Sequence, residues 1–333
     1  MGPAQAGAGW IGRRFSAGGV IRTAGAPDPS STVQAVLALA ASGVGGDEAG
    51  AGISWLEKHF ESYVSPGGVD DAGSLAYVIL AAQAMGVRPT KFGGKAKANN
   101  LIVRLEATQR TTGPDAGLFG SSDPTYDGAF RQGLSLMALA NQKIANRLGV
   151  TWLQNQQCSD GGWEAYRSEP TVPCPAPDPS TFTGPDTNST SLAVEGLVAQ
   201  KTVDTGSTFP ADPTAFFESA QNADGGFGLI GASSQSPDPD STGEVIQALV
   251  ALGELSNPAF TKSPGMTPIT ALATFQLGCS AAKKDRGAYE FPGVNGPNLI
   301  ATLQAVPGAA QVAFPLKAQT LQPGLPRLSC RAH

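Results

Sequence analysis

Gln157-Cys158-Ser159-Asp160-Gly161-Gly162-Trp163 is the stretch that decides how this chain folds. It has the form Q-x-x-D-G-x-W: a helix end, a carboxylate, a glycine turn and an aromatic plug. It returns as Gln221-Asn222-Ala223-Asp224-Gly225-Gly226-Phe227. Partial copies lie at Ser16–Val20, Ser65–Val69, Asp115–Phe119 and Asp285–Tyr289. Successive turns are roughly 45 to 65 residues apart, a period that belongs to solenoids, arrays and closed toroids. Glycine is required because the chain leaves a helix through positive φ and doubles back.

Working outward, an amphipathic helix precedes most turns. Ile53, Leu56, Phe60 and Val64 form one stripe at helical spacing, with Trp55 and Tyr63 beside it. Leu101 and Leu105, Val150 and Leu153, Phe216 and Ala220, and Ile269 and Leu272 repeat the pattern, while the first copy, Trp10–Phe15, reads as a clipped or frayed helix. After each turn comes a helix apolar nearly all round, the mark of burial: Val33–Ala41, Leu75–Met85, Leu134–Ala140, Leu192–Gln200, Val245–Leu252 and Leu299–Val306. Their starts repeat too. Asp28-Pro29-Ser30-Ser31-Thr32, Asp186-Thr187-Asn188-Ser189-Thr190 and Asp238-Pro239-Asp240-Ser241-Thr242 share one form, and Asp71 and Asp127 lie in register. Ser30, Asp71, Asp127, Asn188 and Asp240 are expected as N-caps, and Ser241 with Glu244 as a capping box.

Six outer and six inner helices predict an all-α fold, an α6/α6 toroid. It is expected as one domain over residues 1–333, with 307–333 an extended tail packed on the body, because Pro315, Pro323 and Pro326 oppose another helix. Length and composition agree: 333 residues, 41% hydrophobic and 15% charged, support a large core. The net charge of −5 and scattered Lys and Arg predict no basic patch, so nucleic acid is not an expected partner. No apolar run is long enough to span a bilayer, and Met1–Gly7 lacks the layout of a signal peptide. Cys158, Cys174, Cys279 and Cys330 fit no zinc spacing. Two disulfides, Cys158–Cys174 and Cys279–Cys330, would fit an oxidising compartment; four reduced thiols fit the composition equally.

The repeats resemble those of the terpenoid cyclase and protein prenyltransferase superfamily over about residues 10 to 305. Val33–Gly43, and Leu277-Gly278-Cys279 followed by Asp285-Arg286-Gly287, are similar to secreted bacterial proteins with prenyltransferase and squalene-oxidase repeats. The resemblance implies the toroid, and a structural role for the Gln and Trp of each motif in tying outer helices together. It also directs attention to the D-x-D-D-T motif of class II cyclases, whose middle acid is kept neutral and protonates an alkene. Asp238 and Asp240 fit the first and middle positions, but Ser241 replaces the next acid. Asp70-Asp71 is a poorer match.

Other sets that the superfamily uses are missing. Two histidines, His59 and His333, exclude the zinc site of the prenyltransferases; there is no Cys-Gly-Glu-Gln thioester run, and Asp70-Asp71 lacks the third acid of D-D-x-x-D. No cofactor or metal is expected. Glu195, inside an apolar inner helix, is expected to line the central cavity or to hold a neighbouring loop. Asp71, Asp127, Asn188, Asp238 and Asp240 would gather at one rim with the positive helix ends. The leading expectation is a secreted or cell-surface, monomeric, non-catalytic toroid that binds an apolar, isoprenoid-like molecule or a surface partner through cavity or rim. A small class II-like cyclase with Asp240 as acid stands second. A carrier of the cobalamin type, which shares the toroid but adds a β domain, stands last.

Overall fold

The computed structural model describes residues 1–96, 99–121 and 128–330. Thirteen α-helices form among them: α1 Pro3–Gly12, α2 Pro29–Ser42, α3 Gly46–His59, α4 Glu61–Val64, α5 Ala72–Ala84, α6 Leu101–Ala107, α7 Ala129–Asn141, α8 Arg147–Asn155, α9 Thr187–Lys201, α10 Pro213–Ala220, α11 Pro239–Leu252, α12 Pro268–Thr274 and α13 Leu299–Ala309. A two-residue hairpin, Arg22–Thr23 with Ala26–Pro27, follows α1.

Helices α2, α5, α7, α9, α11 and α13 each pack on the next, and α13 packs back on α2. That circuit of contacts closes a ring, and α1, α3, α6, α8, α10 and α12 lie against its outside. The two sets differ in burial as their sequences do. In α5, Leu75, Ala76, Val78, Ile79 and Leu80 are buried around most of the helix, whereas α3 buries Ile53 and Leu56 and turns Glu57 and Lys58 outward. Close approach of α7 to α9 requires small residues: a Cβ on Gly133 would lie 2.0 Å from the Leu192 carbonyl oxygen. The first outer helix is not clipped. It begins at Pro3, and Trp10 and Ile11 are buried.

The glutamines of the repeated motif fasten one outer helix to the next. Gln157 Nε2 donates to the carbonyls of Gly161 (2.8 Å) and Ala211 (3.0 Å), and its Oε1 accepts from Ala211 N–H. Ala211 lies just before α10. Gln221 reaches Gly225 and Phe260 in the same way, and Gln109 reaches Gly117 and the α8 cap Asn146. Gln276 donates to Gly287 and, at 2.8 Å, to Pro3 at the start of α1, so the last copy closes onto the first. Gly161 allows this approach: its φ is +93° and a Cβ there would sit 2.1 Å from the Asp212 carbonyl oxygen.

A second repeated bond joins each turn to its inner helix. The N–H groups of Ile21, Trp163, Phe227 and Tyr289 donate to the hydroxyls of Thr32, Thr190, Thr242 and Thr302 at 2.9–3.0 Å.

Both disulfides form, Cys158–Cys174 and Cys279–Cys330, each with 5.7 Å between Cα atoms. The tail starts after Ala309, slightly later than expected, and crosses the C-terminal ends of the inner helices. Leu316 accepts from Asn141 at the end of α7, Gln319 donates to Ala84 at the end of α5, and Gln322 donates to Gly43 after α2. Pro326 accepts from Arg13 before Cys330 ties the tail to Cys279. No described helix is long and apolar enough to cross a membrane.

Candidate functional site

Three inner helices are capped two residues earlier than the sequence pattern places their caps. Asp28, Asp186 and Asp238 are the N-caps of α2, α9 and α11, each accepting the N–H three residues on, at 2.7–2.9 Å. Ser30, Asn188 and Asp240 are therefore at the second helical position and free of capping. The expected Ser241–Glu244 capping box does not form, because Asp238 holds both the N–H and the hydroxyl of Ser241. The Asp-Pro pairs at Asp28 and Asp238 carry the signal, since proline favours the first helical position and so marks the residue before it as the cap. Asp71 does cap α5, accepting from Ser74 N–H at 2.7 Å, and also pairs with Arg131 on α7 at 2.9 Å. Asp127 lies outside the described residues.

Released from capping, Asp240 and Glu244 face inward, one helical turn apart on α11. Asp240 is half-buried, with Oδ1 enclosed and unpartnered. Burial, reinforced by Asp238, pushes its carboxyl up to about 7. Burial and then Asp240 push Glu244 up to about 8. Glu195 on α9 is fully buried. Its carboxyl is raised well above the ordinary range by burial and by Glu244, and its Oε2 accepts the N–H of Phe314 in the tail at 2.7 Å. The expected bond from Glu195 to a loop is thus present. Its other oxygen has no partner.

Tyr77 on α5 stands across the ring from α11. Its hydroxyl is raised well above its ordinary value by burial, then by Glu244, Tyr63 and Glu195. The interior of the ring therefore holds three acids with raised carboxyls, Asp240, Glu244 and Glu195, together with Tyr77. Near the mouth, Tyr63, Tyr77, Phe130 and Arg131 help to line a cavity of about 250 Å³. That is below the usual range for small-molecule sites, about 300–1,000 Å³.

A larger cleft, of about 640 Å³, opens on the rim between the starts of α7 and α9. Its apolar walls include Phe130, Tyr166, Phe182, Leu229 and Ile230, and its polar edge includes Asn188 and Asp186. Burial pushes Asp186 up to about 6, against the opposing pull of the Ser189 N–H. The loop from Glu164 to Gly184 forms the outer wall and is stapled by Cys158–Cys174. Phe182 is 67% exposed and has φ +53°, a left-handed conformation that costs a non-glycine residue about 1–3 kcal/mol. Tyr166 and Phe182 have no signal in the sequence because they lie in a loop outside both periodic patterns, and Phe130 sits in the first turn of α7, ahead of the apolar run Leu134–Ala140. Among the described residues, no group of three or more His, Cys, Asp and Glu side chains is arranged to hold a metal ion.

No family model matches the chain, and no curated protein matches it in sequence. Solved structures do match. Type II terpene cyclase MstE from Scytonema superposes with a TM-score of 0.58 and 13% identity, covering 93% of this chain and 96% of the cyclase. An unsaturated glucuronyl hydrolase from Streptococcus agalactiae gives 0.51 at 10% identity, covering 92% and 89%. An alpha-amylase from Clostridium perfringens gives 0.52 at 11% identity, covering 93% and 97%. At such identities the likeness is one of fold. The chain has an α/α-toroid fold, shared with the terpene cyclase and with the two carbohydrate-active enzymes.

Proposed function

We propose that this protein acts outside the cytoplasm as a binding toroid, taking a small, largely apolar ligand of isoprenoid type in the rim cleft between α7 and α9. Phe182 carries the reading: a large aromatic side chain is held over an apolar cleft, in a strained conformation, with most of its surface in water. Burying such a ring against a ligand is worth about 1.5–3 kcal/mol. The two disulfides fit an oxidising compartment. Trp152 stacks on the cleft residue Tyr166 with ring centroids 6.4 Å apart and serves as a fluorescent reporter. Titration with a C15 or C20 prenyl alcohol is expected to change its emission saturably, and Phe182→Ala to weaken binding by about ten- to a hundredfold. No saturable change with either alcohol would remove the proposal.

The cyclase reading keeps one specific support: burial raises Asp240 to about 7, which leaves a large share of it protonated at neutral pH, and its Oδ1 is enclosed, as a protonating acid requires. Against it, the axis beneath Asp240 carries Glu244, Gln247 and Tyr77 rather than an aromatic wall for carbocations. Incubation of the wild type and Asp240→Asn with squalene and shorter polyprenyl substrates decides. Cyclised product from the wild type alone supports the cyclase; no wild-type product ends that reading.

A further inference from the structure

The expectation of scattered basic residues fails at one place. Arg13 and Arg14 at the end of α1, Lys283, Lys284 and Arg286 in the last glycine turn, and Arg327 in the tail surround one concavity of about 460 Å³. These positions are remote in sequence. The tail brings them together: Arg13 Nη1 donates to the Pro326 carbonyl at 3.1 Å, and Cys330 is bonded to Cys279 beside the turn.

Among the described residues, none of these six cations pairs with a carboxylate. Elsewhere arginines do: Arg104 meets Glu61 and Asp70, Arg110 meets Asp115, Arg131 meets Asp71, and Arg147 meets Asp204. Asp285, in the same turn, is half-buried and pairs with none of the cluster. Three of the four guanidinium groups, those of Arg13, Arg14 and Arg286, are held instead by neutral partners, while Arg327 is exposed. Arg286 donates to the carbonyls of Ala281 and Cys279, both at 3.0 Å, and Arg14 lies over the Trp10 ring at 4.2 Å. Such anchoring fixes the groups and leaves their charge uncompensated, with N–H donors to spare. The strain of like charges shows at Arg13, which is lowered by burial and then by Arg327 and Arg14.

A chain with net charge −5 has ample acid to neutralise such a cluster, yet places none against it. Fixed guanidinium groups in a concavity suit the oxygens of phosphate, which they bind bidentately, and the lysines add point charge. We propose that this concavity is an anion site for a multiply charged phosphate group, either free or carried on a lipid headgroup. The Cys279–Cys330 bond then has a role beyond stability, as the link that brings Arg327 to the turn.

The test uses the whole chain, inorganic tripolyphosphate and vesicles with and without phosphatidic acid, whose headgroup is a phosphomonoester. Lys283→Ser with Lys284→Ser changes exposed side chains only, and Arg13→Gln with Arg327→Gln provides a second variant. Arg147→Gln, on another surface, is the control; circular dichroism verifies folding. Saturable tripolyphosphate binding in low salt is expected, weakened by about tenfold or more in both cluster variants and unchanged in Arg147→Gln. Binding of tripolyphosphate without pelleting on vesicles assigns a free phosphate ligand. Pelleting on the anionic vesicles, lost in the cluster variants, assigns the headgroup. Neither kind of binding, or equal loss in Arg147→Gln, would overturn the proposal.

Discussion

At the residue scale the buried acids make a signed prediction. Glu244 and Asp240 have folded values near 8 and 7, well above those of exposed carboxyls, and Glu195 is raised as well. Between the ordinary carboxyl value and these, the folded state binds more protons than the unfolded state, so stability falls as pH rises. The melting temperature is expected to drop between about pH 5 and pH 8. Glu244→Gln, which keeps the shape and removes the ionisation, is expected to flatten that slope and to raise stability at pH 8. Equal slopes for wild type and variant, followed by differential scanning calorimetry across this window, would contradict the assigned burial. These acids were visible in sequence as candidates, but their role was not. Asp240 aligned with Ser30 and Asn188, and all three belong to residue types that commonly cap helices. The true caps, Asp28, Asp186 and Asp238, stand two residues earlier. Whether Asp240 meets bonds or empty space depends on the helices packed around α11, which local pattern does not encode.

At the scale of elements, the motif at Gln157–Trp163 acts as a fastener. Gln157→Ala removes three hydrogen bonds and leaves the Ala211 N–H without its side-chain partner. The expected loss is about 2–3 kcal/mol, since removing one side of a buried bond exposes the desolvation penalty of the other. Thr190→Val strips the acceptor from the Trp163 N–H with little change of shape and is expected to cost about 1–3 kcal/mol. Urea unfolding measures both; changes under half a kilocalorie would show that packing alone holds these turns. This level was the most legible in sequence. Glycine, glutamine and the apolar stripe each answer to geometry within one repeat, and several copies report the same geometry. The first outer helix was misjudged because Pro3–Gly12 is rich in alanine and glycine, so its burial comes from close approach rather than from a large apolar stripe.

At the scale of the whole molecule, closure and the tail matter most. Gln276 reaching Pro3 joins the ends of the ring, and the tail then crosses the feet of α7, α5 and α2. Replacing Cys279 and Cys330 by serine releases a link that spans 51 residues. The expected destabilisation is about 3–5 kcal/mol by loop entropy, with loss of tripolyphosphate binding in the same variant. An extended tail was foreseeable from its prolines. Its course was not, because each contact pairs residues remote in sequence, and the same remoteness hid the basic concavity and the cleft.

On the proposed reading, ligand enters at the rim cleft and not into the ring interior that holds Asp240 and Glu244. Photo-crosslinking with a diazirine-bearing prenyl alcohol, followed by peptide mapping, tests it most directly. Label on Phe130, the loop from Glu164 to Gly184, and Leu229–Ile230, displaced by unlabelled prenyl alcohol, is the predicted result. Displaceable label on Asp240, Glu244 or Tyr77 would place the ligand inside the ring and rule out binding at the rim.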